Sequence, residues 1–133
     1  MDAKELRIGN LVDTPNPNMN PFRVESIENE RIGGYNSFGS FVYWNINDIK
    51  PIPLSEQWLR DFRFSSTFSS DPQNWPASKC FNLYGFKVHQ PIEDVDRFIF
   101  EPIVDDYIEL EIIHHLQNFY FAITGKELEK IIP

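Results

Sequence analysis

Apolar and polar positions alternate in short runs between residues 6 and 52, a pattern typical of β-strands. Asn and Pro fill residues 14–21, and Pro lacks the amide donor that a strand ladder needs, so this stretch is expected to be a loop. A turn is predicted at 28–30, and Gly33, Gly34 and Gly39 are expected to bracket a flexible hairpin tip. The predicted strands lie at 6–12, 22–27, 31–32, 41–44 and 46–52. Short strands separated by turns predict a small, strongly bent barrel of the SH3-like kind.

A short helix is predicted after residue 53. Ser55 is placed to accept a backbone hydrogen bond as the N-cap, and Leu54 and Leu59 have the spacing of a hydrophobic staple. Trp58, Leu59 and Phe62 give the helix an apolar face, which we expect to plug one end of the barrel.

The second half of the chain follows a polar stretch, 65–78, which is rich in Ser, Asp, Pro and Asn and is predicted to be a loop. Strands are predicted at 80–88, with a bulge at Gly85, at 97–100 and at 107–112. They would form a three-stranded antiparallel meander. The spacing of Ile112, Leu116, Phe119 and Ile123 then predicts a helix that packs on this sheet and ends at Gly125.

The predicted fold class is therefore α+β. An N-terminal SH3-like small β-barrel with a short helix would occupy residues 1–64, and an antiparallel β-meander packed on a C-terminal helix would occupy residues 79–133. The two halves are expected to form one compact unit of a size that a single core can support.

The net charge of the chain is −8, and most of it lies in one segment. Residues 93–111 contain eight carboxylates and one arginine, Arg97, and so carry −7 of that charge. Because phosphate binding needs a basic stripe, direct nucleic-acid binding is disfavoured. Contact with nucleic acid through Arg7, Arg23 and Arg31 is therefore the least favoured hypothesis.

The compartment expected from the sequence is the cytosol. The first residues contain no apolar run of signal-peptide length, and no window approaches the roughly 18 apolar residues that span a bilayer. Cys80 is the only cysteine, so an intramolecular disulfide is impossible, and a buried apolar role is expected for it.

Catalytic and metal chemistry find little support in the residue pattern. His114 and His115 are adjacent, and neighbouring helical residues point about 100° apart, whereas metal pairs on helices use i, i+4 spacing. The one acidic partner at that spacing is Glu111, four residues before His115, and a zinc site needs at least three protein ligands. No phosphate loop or nucleophile elbow is present. We therefore expect no metal, no cofactor and no enzymatic activity.

Aromatic and acidic residues are the better functional lead, because large aromatics on loops commonly anchor protein interfaces. The aromatics that exceed the needs of a small barrel include Phe41, Tyr43 and Trp44. The residues expected to bind a partner are Glu93, Asp94, Asp96, Asp105, Asp106, Tyr35, Phe38 and Trp75.

Four segments of the chain occur together in a recognisable order. They are Glu5-Leu-Arg-Ile-Gly-Asn10, Trp44-Asn-Ile-Asn-Asp48, Ile49-Lys-Pro-Ile-Pro-Leu-Ser-Glu-Gln-Trp-Leu59 and Leu116-Gln-Asn-Phe-Tyr-Phe-Ala-Ile-Thr-Gly-Lys-Glu-Leu128. With these segments the chain resembles a group of small uncharacterised proteins of Bacteroidetes phages, prophages and mobile elements. His115 departs from the Gln of that pattern. The resemblance implies a phage or mobile-element setting and transfers no catalytic residue.

Two functional hypotheses follow. The first is a non-enzymatic accessory protein that binds a bacterial protein, with the acidic segment complementing a basic groove such as that of a host defence nuclease. The alternative is a protein that binds or sequesters a small molecule or nucleotide in an aromatic-rich cleft.

Overall fold

The computed structural model describes residues 5–69, 78–92, 97–101 and 108–129. These residues form an α+β structure with antiparallel sheets and a C-terminal helix, as predicted. They divide into two compact units that interleave along the chain. The N-terminal unit contains residues 5–53 and Ile112–Glu127, whereas the central unit contains residues between Leu54 and Glu111 together with Leu128 and Glu129. This grouping differs from the predicted division at 64 and 79, chiefly because the C-terminal helix belongs with the first residues of the chain.

The N-terminal unit is built on two small antiparallel sheets. Strands β1 (Leu11–Val12) and β2 (Phe22–Arg23) form one, and β3 (Ser26–Glu28), β4 (Arg31–Tyr35) and β5 (Phe41–Asn45) form the other in that order. The described residues form no closed barrel, so the SH3-like barrel is not confirmed. The core of the unit is mostly aliphatic and consists of Leu6, Val12, Phe22, Val24, Ile32, Ile46 and Ile49.

Two local predictions in this unit are wrong. The strand predicted at 31–32 is longer than expected, since β4 continues through Gly33 and Gly34, which lie opposite Tyr43 and Val42, to Tyr35. The backbone needs glycine there because a Cβ on Gly34 would overlap the backbone oxygen of Arg23. Residues 46–52 are not a strand but begin with a 3₁₀ turn, Ile46–Asp48, which the Asn45 side chain caps by accepting from the Asn47 amide.

The central unit contains a five-stranded antiparallel sheet in the order β10-β9-β8-β7-β6. Its strands are β6 (Ser65–Ser69), β7 (Ser78–Leu83), β8 (Phe86–Pro91), β9 (Ile99–Glu101) and β10 (Ile108–Glu109). The meander was thus predicted correctly in kind but with too few strands. Its buried apolar side chains are dominated by phenylalanine, and the ring centroids of Phe86 and Phe100 lie 4.8 Å apart.

Two predictions fail at the start of this sheet. Residues 65–69, predicted to be loop, form β6, since their backbone pairs with β7 despite the polar sequence. Gly85 marks a tight turn and not a bulge. Tyr84 and Gly85 both have positive φ (51° and 91°) and join β7 to β8, as in a two-residue type I′ hairpin.

The short helix α1 (Glu56–Asp61) forms where it was predicted. The Ser55 hydroxyl accepts from the Trp58 amide at 3.3 Å, which confirms the N-cap. Leu59 and Phe62 are buried, so the apolar face is confirmed as well. The helix belongs to the central unit and not to the predicted barrel.

The C-terminal helix α2 (Ile113–Thr124) ends at Gly125, whose φ of 73° gives the left-handed C-cap that was predicted. Its buried face is one residue out of phase with the predicted stripe: Ile123 is 52% exposed and Ile112 is only half-buried. The face contains polar as well as apolar residues, namely Ile113, His114, Leu116, Gln117 and Tyr120.

Hydrogen bonds from this face explain why α2 belongs to the N-terminal unit. The buried Gln117 amide donates to the Gly9 carbonyl at 3.1 Å and accepts from the Leu11 amide at 2.9 Å. Asn118 accepts from the buried Asn10 side chain at 2.8 Å and donates to the Glu5 carbonyl at 3.0 Å. Two of the segments that carry the family resemblance, 5–10 and 116–128, are therefore bonded to each other.

A salt bridge extends this contact beyond the helix. The Arg7 guanidinium pairs with both carboxylate oxygens of Glu127 and lies over the Phe121 ring at 4.2 Å from its centroid. Both charged side chains are about one-third exposed, so the salt bridge contributes little to the free energy of unfolding. Its main effect is to fix the position of residues 126–127.

Cys80 is buried in β7, as was expected. In the ranges that the structure describes, neither helix has both the length and the hydropathy that crossing a bilayer requires.

Candidate functional site

Most of the residues predicted to bind a partner lie outside the described residues. These are Glu93, Asp94, Asp96, Trp75, Asp105 and Asp106. Tyr35 and Phe38 lie within them and are 61% and 91% exposed. Phe41 and Tyr43 are also exposed, whereas Trp44 packs against the core of the N-terminal unit. The prediction of surface aromatics is therefore confirmed for Tyr35, Phe38, Phe41 and Tyr43. Their role in binding stays a prediction.

Three of these aromatics form a continuous row on the outer face of the β4–β5 hairpin. Tyr35 and Phe41 are directly opposed in the strand register, and their rings meet edge to face with centroids 5.0 Å apart. Phe41 and Tyr43 are next but one on β5, and their centroids lie 5.1 Å apart. The Arg31 guanidinium lies 3.9 Å from the Tyr43 centroid and closes the row with a cation–π contact. Tyr35, Phe38, Phe41 and Tyr43 are called the aromatic face.

Gly33 makes room for this row. Because alternate strand residues share a face, Arg31, Gly33 and Tyr35 point outward together on β4. A Cβ on Gly33 would lie 2.5 Å from the Phe41 ring, so the ring rests against bare backbone. The sequence pattern predicted a strand that ends before Gly33, because the ring that covers this glycine comes from the next strand and leaves no local signal.

Phe38 lies in the loop between β4 and β5, and that loop is ordered by one side chain. The Asn36 carbonyl oxygen Oδ1 accepts from the Phe38 amide at 3.0 Å and from the Ser40 amide at 2.9 Å. The Asn36 amide also donates to the Ser40 carbonyl, and Gly39 takes up a positive φ of 81°. The loop backbone is therefore held by hydrogen bonds while the Phe38 ring is almost wholly exposed.

A second cluster brings Glu5 to the start of α2. Its carboxylate oxygen Oε2 lies 3.7 Å from Nε2 of His114 and 3.8 Å from Nε2 of His115. The two imidazole rings stand edge to face with centroids 4.8 Å apart. One potential ligand atom from each of the three residues lies within 4.8 Å of the other two. The cluster belongs entirely to the N-terminal unit.

Burial makes His114 the unusual member of this cluster. Its side chain is fully buried, and neither ring nitrogen has a hydrogen-bond partner among the described residues. Burial lowers the pKa of His114 below its ordinary value, the neighbouring His115 lowers it further, and Glu5 opposes both effects. The lowered pKa favours the neutral form of the His114 ring.

Spacing on the helix did not reveal this arrangement. The two histidines do leave α2 in different directions, but Glu5 lies between their Nε2 atoms and is 109 positions away in sequence from His114. The carboxylate that spacing nominates, Glu111, belongs to the other unit. A contact of this range leaves no signal in local sequence periodicity.

Comparison with known protein families, curated proteins and solved structures gave no match for this chain. The resemblance to proteins of phages and mobile elements therefore stays a prediction.

Proposed function

We propose that this chain is a non-enzymatic interaction protein that binds a bacterial protein through the aromatic face. The observation that supports this most strongly is the exposure of Phe38, at 91%, in the loop that joins the two strands carrying three further exposed rings. Contiguous exposed apolar surface on a small protein commonly marks a binding site, and aromatic side chains dominate the energetics of such sites.

The geometry of the loop adds to this argument. Burying a Phe side chain in a partner's pocket contributes about 1.5–3 kcal/mol through removal of apolar surface from water. Ordering a loop during binding reduces that gain. Asn36 already holds the loop backbone in the unbound chain, so that cost is small. Phe38 therefore has the properties of an anchor side chain.

Charge favours a basic partner. The chain carries a net charge of −8, and residues 93–111 contribute most of it. Opposite fields speed and orient association, so the partner we propose has a positively charged groove, such as the nucleic-acid channel of a bacterial defence nuclease. In this proposal Glu93, Asp94, Asp96, Asp105 and Asp106 contact that groove.

The biological setting in the proposal rests on the family resemblance. In this proposal the chain is the product of a phage or mobile element and acts in the cytoplasm of a bacterial host. Inhibition of a defence enzyme is a function that such proteins would need.

The test compares two exposed hairpin aromatics. The partner would first be captured from a bacterial lysate with the wild-type chain, identified by mass spectrometry and purified. Titration calorimetry would then measure its affinity for Phe38→Ala and for Tyr84→Asn, since Tyr84 is 88% exposed at the β7–β8 turn. We expect Phe38→Ala to raise Kd by at least about tenfold, equal to ~1.4 kcal/mol, and Tyr84→Asn to change it by less than about twofold.

One outcome would overturn the proposal as a whole, and another would overturn its acidic part. One is equal binding by the two variants, provided that both unfold at the midpoint expected for a folded chain. The other is a captured partner that binds equally well after charge reversal at Glu93–Asp96 and Asp105–Asp106, which would remove the acidic part of the proposal. A saturable thermal shift with nucleotides that is unaffected by Phe38→Ala would favour the alternative of nucleotide binding.

A further inference from the structure

Glu5, His114 and His115 bring together one carboxylate and two imidazoles from chain segments that are far apart in sequence. We propose that these three side chains bind a divalent transition-metal ion, with zinc as the ion to be tested. This inference is independent of the proposed protein partner, and it departs from the expectation of no metal that helix spacing suggested.

The distances suit a metal after small rotations. Tetrahedral zinc with ligand bonds of about 2.0–2.1 Å holds its ligand atoms roughly 3.3–3.4 Å apart. The Glu5 oxygen lies 3.7 and 3.8 Å from the two Nε2 atoms, only a few tenths of an ångström further. All three ligand atoms lie within 4.8 Å of one another. Glu5 and His115 are half-exposed, so rotation about their side-chain bonds can move their ligand atoms toward Nε2 of the buried His114.

The buried histidine supplies the second and independent reason. Polar side chains that are buried as fully as His114 are almost always hydrogen-bonded, yet its ring nitrogens have no such partner in the described part of the chain. Its Nε2 faces the Glu5 carboxylate and the His115 ring. Coordination of a metal ion would give this nitrogen a partner. If packing were the only role of His114, an apolar side chain of the same size would fill its place.

The ligand set selects the class of metal. Imidazole nitrogen with one carboxylate suits zinc, iron, nickel and copper, whereas calcium and magnesium prefer oxygen ligands alone. Glu5 and His115 are each 48% exposed, so the site opens to solvent on one side. Three protein ligands with one open side leave a position for water or for a group from another molecule.

The experiment uses the untagged full chain after treatment with a chelator. Titration calorimetry with zinc chloride should show one site per chain, and cobalt(II) should give visible absorption without a thiolate charge-transfer band, which excludes Cys80 as a ligand. Zinc should raise the thermal unfolding midpoint, since it binds the folded chain only. We expect Glu5→Gln and His115→Gln each to weaken zinc binding by at least about tenfold.

Glu111→Gln is the matched control, because Glu111 is exposed and lies four residues before His115 on the chain. It should leave zinc affinity within about twofold of wild type, since the proposed site does not include it. Absence of saturable zinc binding by the wild-type chain overturns the proposal. So does an equal loss in all three variants, or a loss with Glu111→Gln alone. Glu5 and His115 are half-exposed, so we expect their variants to fold. The thermal unfolding midpoint measured without zinc distinguishes a variant that has lost zinc affinity from one that has lost its fold.

Discussion

The β4–β5 and β7–β8 hairpins, which are similar in length, differ in whether most of their aromatic side chains are exposed or buried. In β4–β5, Tyr35, Phe41 and Tyr43 line the outer face, and the inner face carries Ile32 with the half-buried Val42 and Trp44. In β7–β8 the aromatic side chains Phe81 and Phe86 are buried, and the one strongly exposed ring, Tyr84, lies in the turn.

The difference shows that aromatic content alone does not identify a core. In both hairpins the side chains alternate between faces, but in β4 the absence of a side chain at Gly33 lets the Phe41 ring approach the outer backbone of the sheet. The β7–β8 hairpin has no glycine within its strands, and its rings fill the interior of the central unit. The position of a ring relative to the strand glycine therefore separates exposed from buried aromatics, which ring count does not.

Loss of a buried ring should have the largest effect. Phe81→Ala in β7 removes a fully buried side chain and should lower the free energy of unfolding by about 3–5 kcal/mol. Phe41→Ala on the aromatic face should cost only about 1 kcal/mol, because its ring is already 38% exposed. Urea denaturation monitored by circular dichroism measures both. Equal losses would contradict the distinction between the two faces.

Gly34 and Gly33 of β4 allow the packing on the inner and outer faces of the sheet to be compared by substitution. Gly34→Ala places a methyl group against the Arg23 backbone oxygen and the Phe22 ring, and it should destabilise the chain by about 2–3 kcal/mol. Gly33→Ala meets the Phe41 ring and the Ser26 hydroxyl, which are side chains that can shift, so about 1 kcal/mol is expected. Denaturation midpoints of the two variants test this order, and the reverse order would argue against a closely packed inner side.

The two hairpin connections should respond in opposite directions. Tyr84→Asn suits the positive φ of the first position of a type I′ turn and should stabilise the chain by about 0.5–1 kcal/mol. Phe38→Ala should change stability by less than about 0.5 kcal/mol, because the ring makes little contact with the rest of the chain. Thermal unfolding decides between these outcomes. A marked loss with Phe38→Ala would mean that the ring supports the fold and is not held ready for a partner.

A surface ion pair on β7 should give the smallest effect. The hydrogen bond from Lys79, and then that from Arg60, lowers the pKa of the Glu56 carboxyl below 4.5. A lowered folded-state pKa stabilises the fold above the unfolded-state value, and this contribution is lost as pH falls through the folded-state value. The side chain is 35% exposed, so screening limits the contribution to about 0.5 kcal/mol. Glu56→Gln should differ from wild type near pH 7 and converge with it in acid; a constant difference down to low pH would exclude ionisation as the cause.

Features set by neighbouring residues were predictable from the sequence. Ser55 caps α1 because its hydroxyl reaches an amide three residues on, and Gly125 ends α2 because it adopts a left-handed backbone. The turn between β3 and β4 was likewise placed correctly at 28–30, where Asn29 has a positive φ of 45°. In each case the physical cause lies within four residues.

Features set by distant residues were not predictable. The buried face of α2 is shifted by one residue because Gln117 satisfies the backbone of residues 9 and 11, and an apolar periodicity gives no weight to a glutamine. Gly33 and Gly34 resemble turn residues until the strand beside them is known. The cluster of Glu5, His114 and His115 escaped notice for the same reason, since its third member is remote from α2 in sequence.

The pairing of residues 52–53 with residues 112–113 has a consequence for how the protein is made. Pro53 and Ile112 face each other in an antiparallel bridge, and the Ile113 amide donates to the Ile52 carbonyl at 2.8 Å. The chain between residues 53 and 112, which holds most of the central unit, is thus inserted between two paired positions of the N-terminal unit. During translation, residues 5–53 leave the ribosome before α2 has been synthesised. Their hydrogen bonds with Gln117 and Asn118 can therefore form only after the residues in between have been synthesised. The same adjacency offers an engineering route, because a short turn from Pro53 to Ile112 would isolate the N-terminal unit as a minimal module.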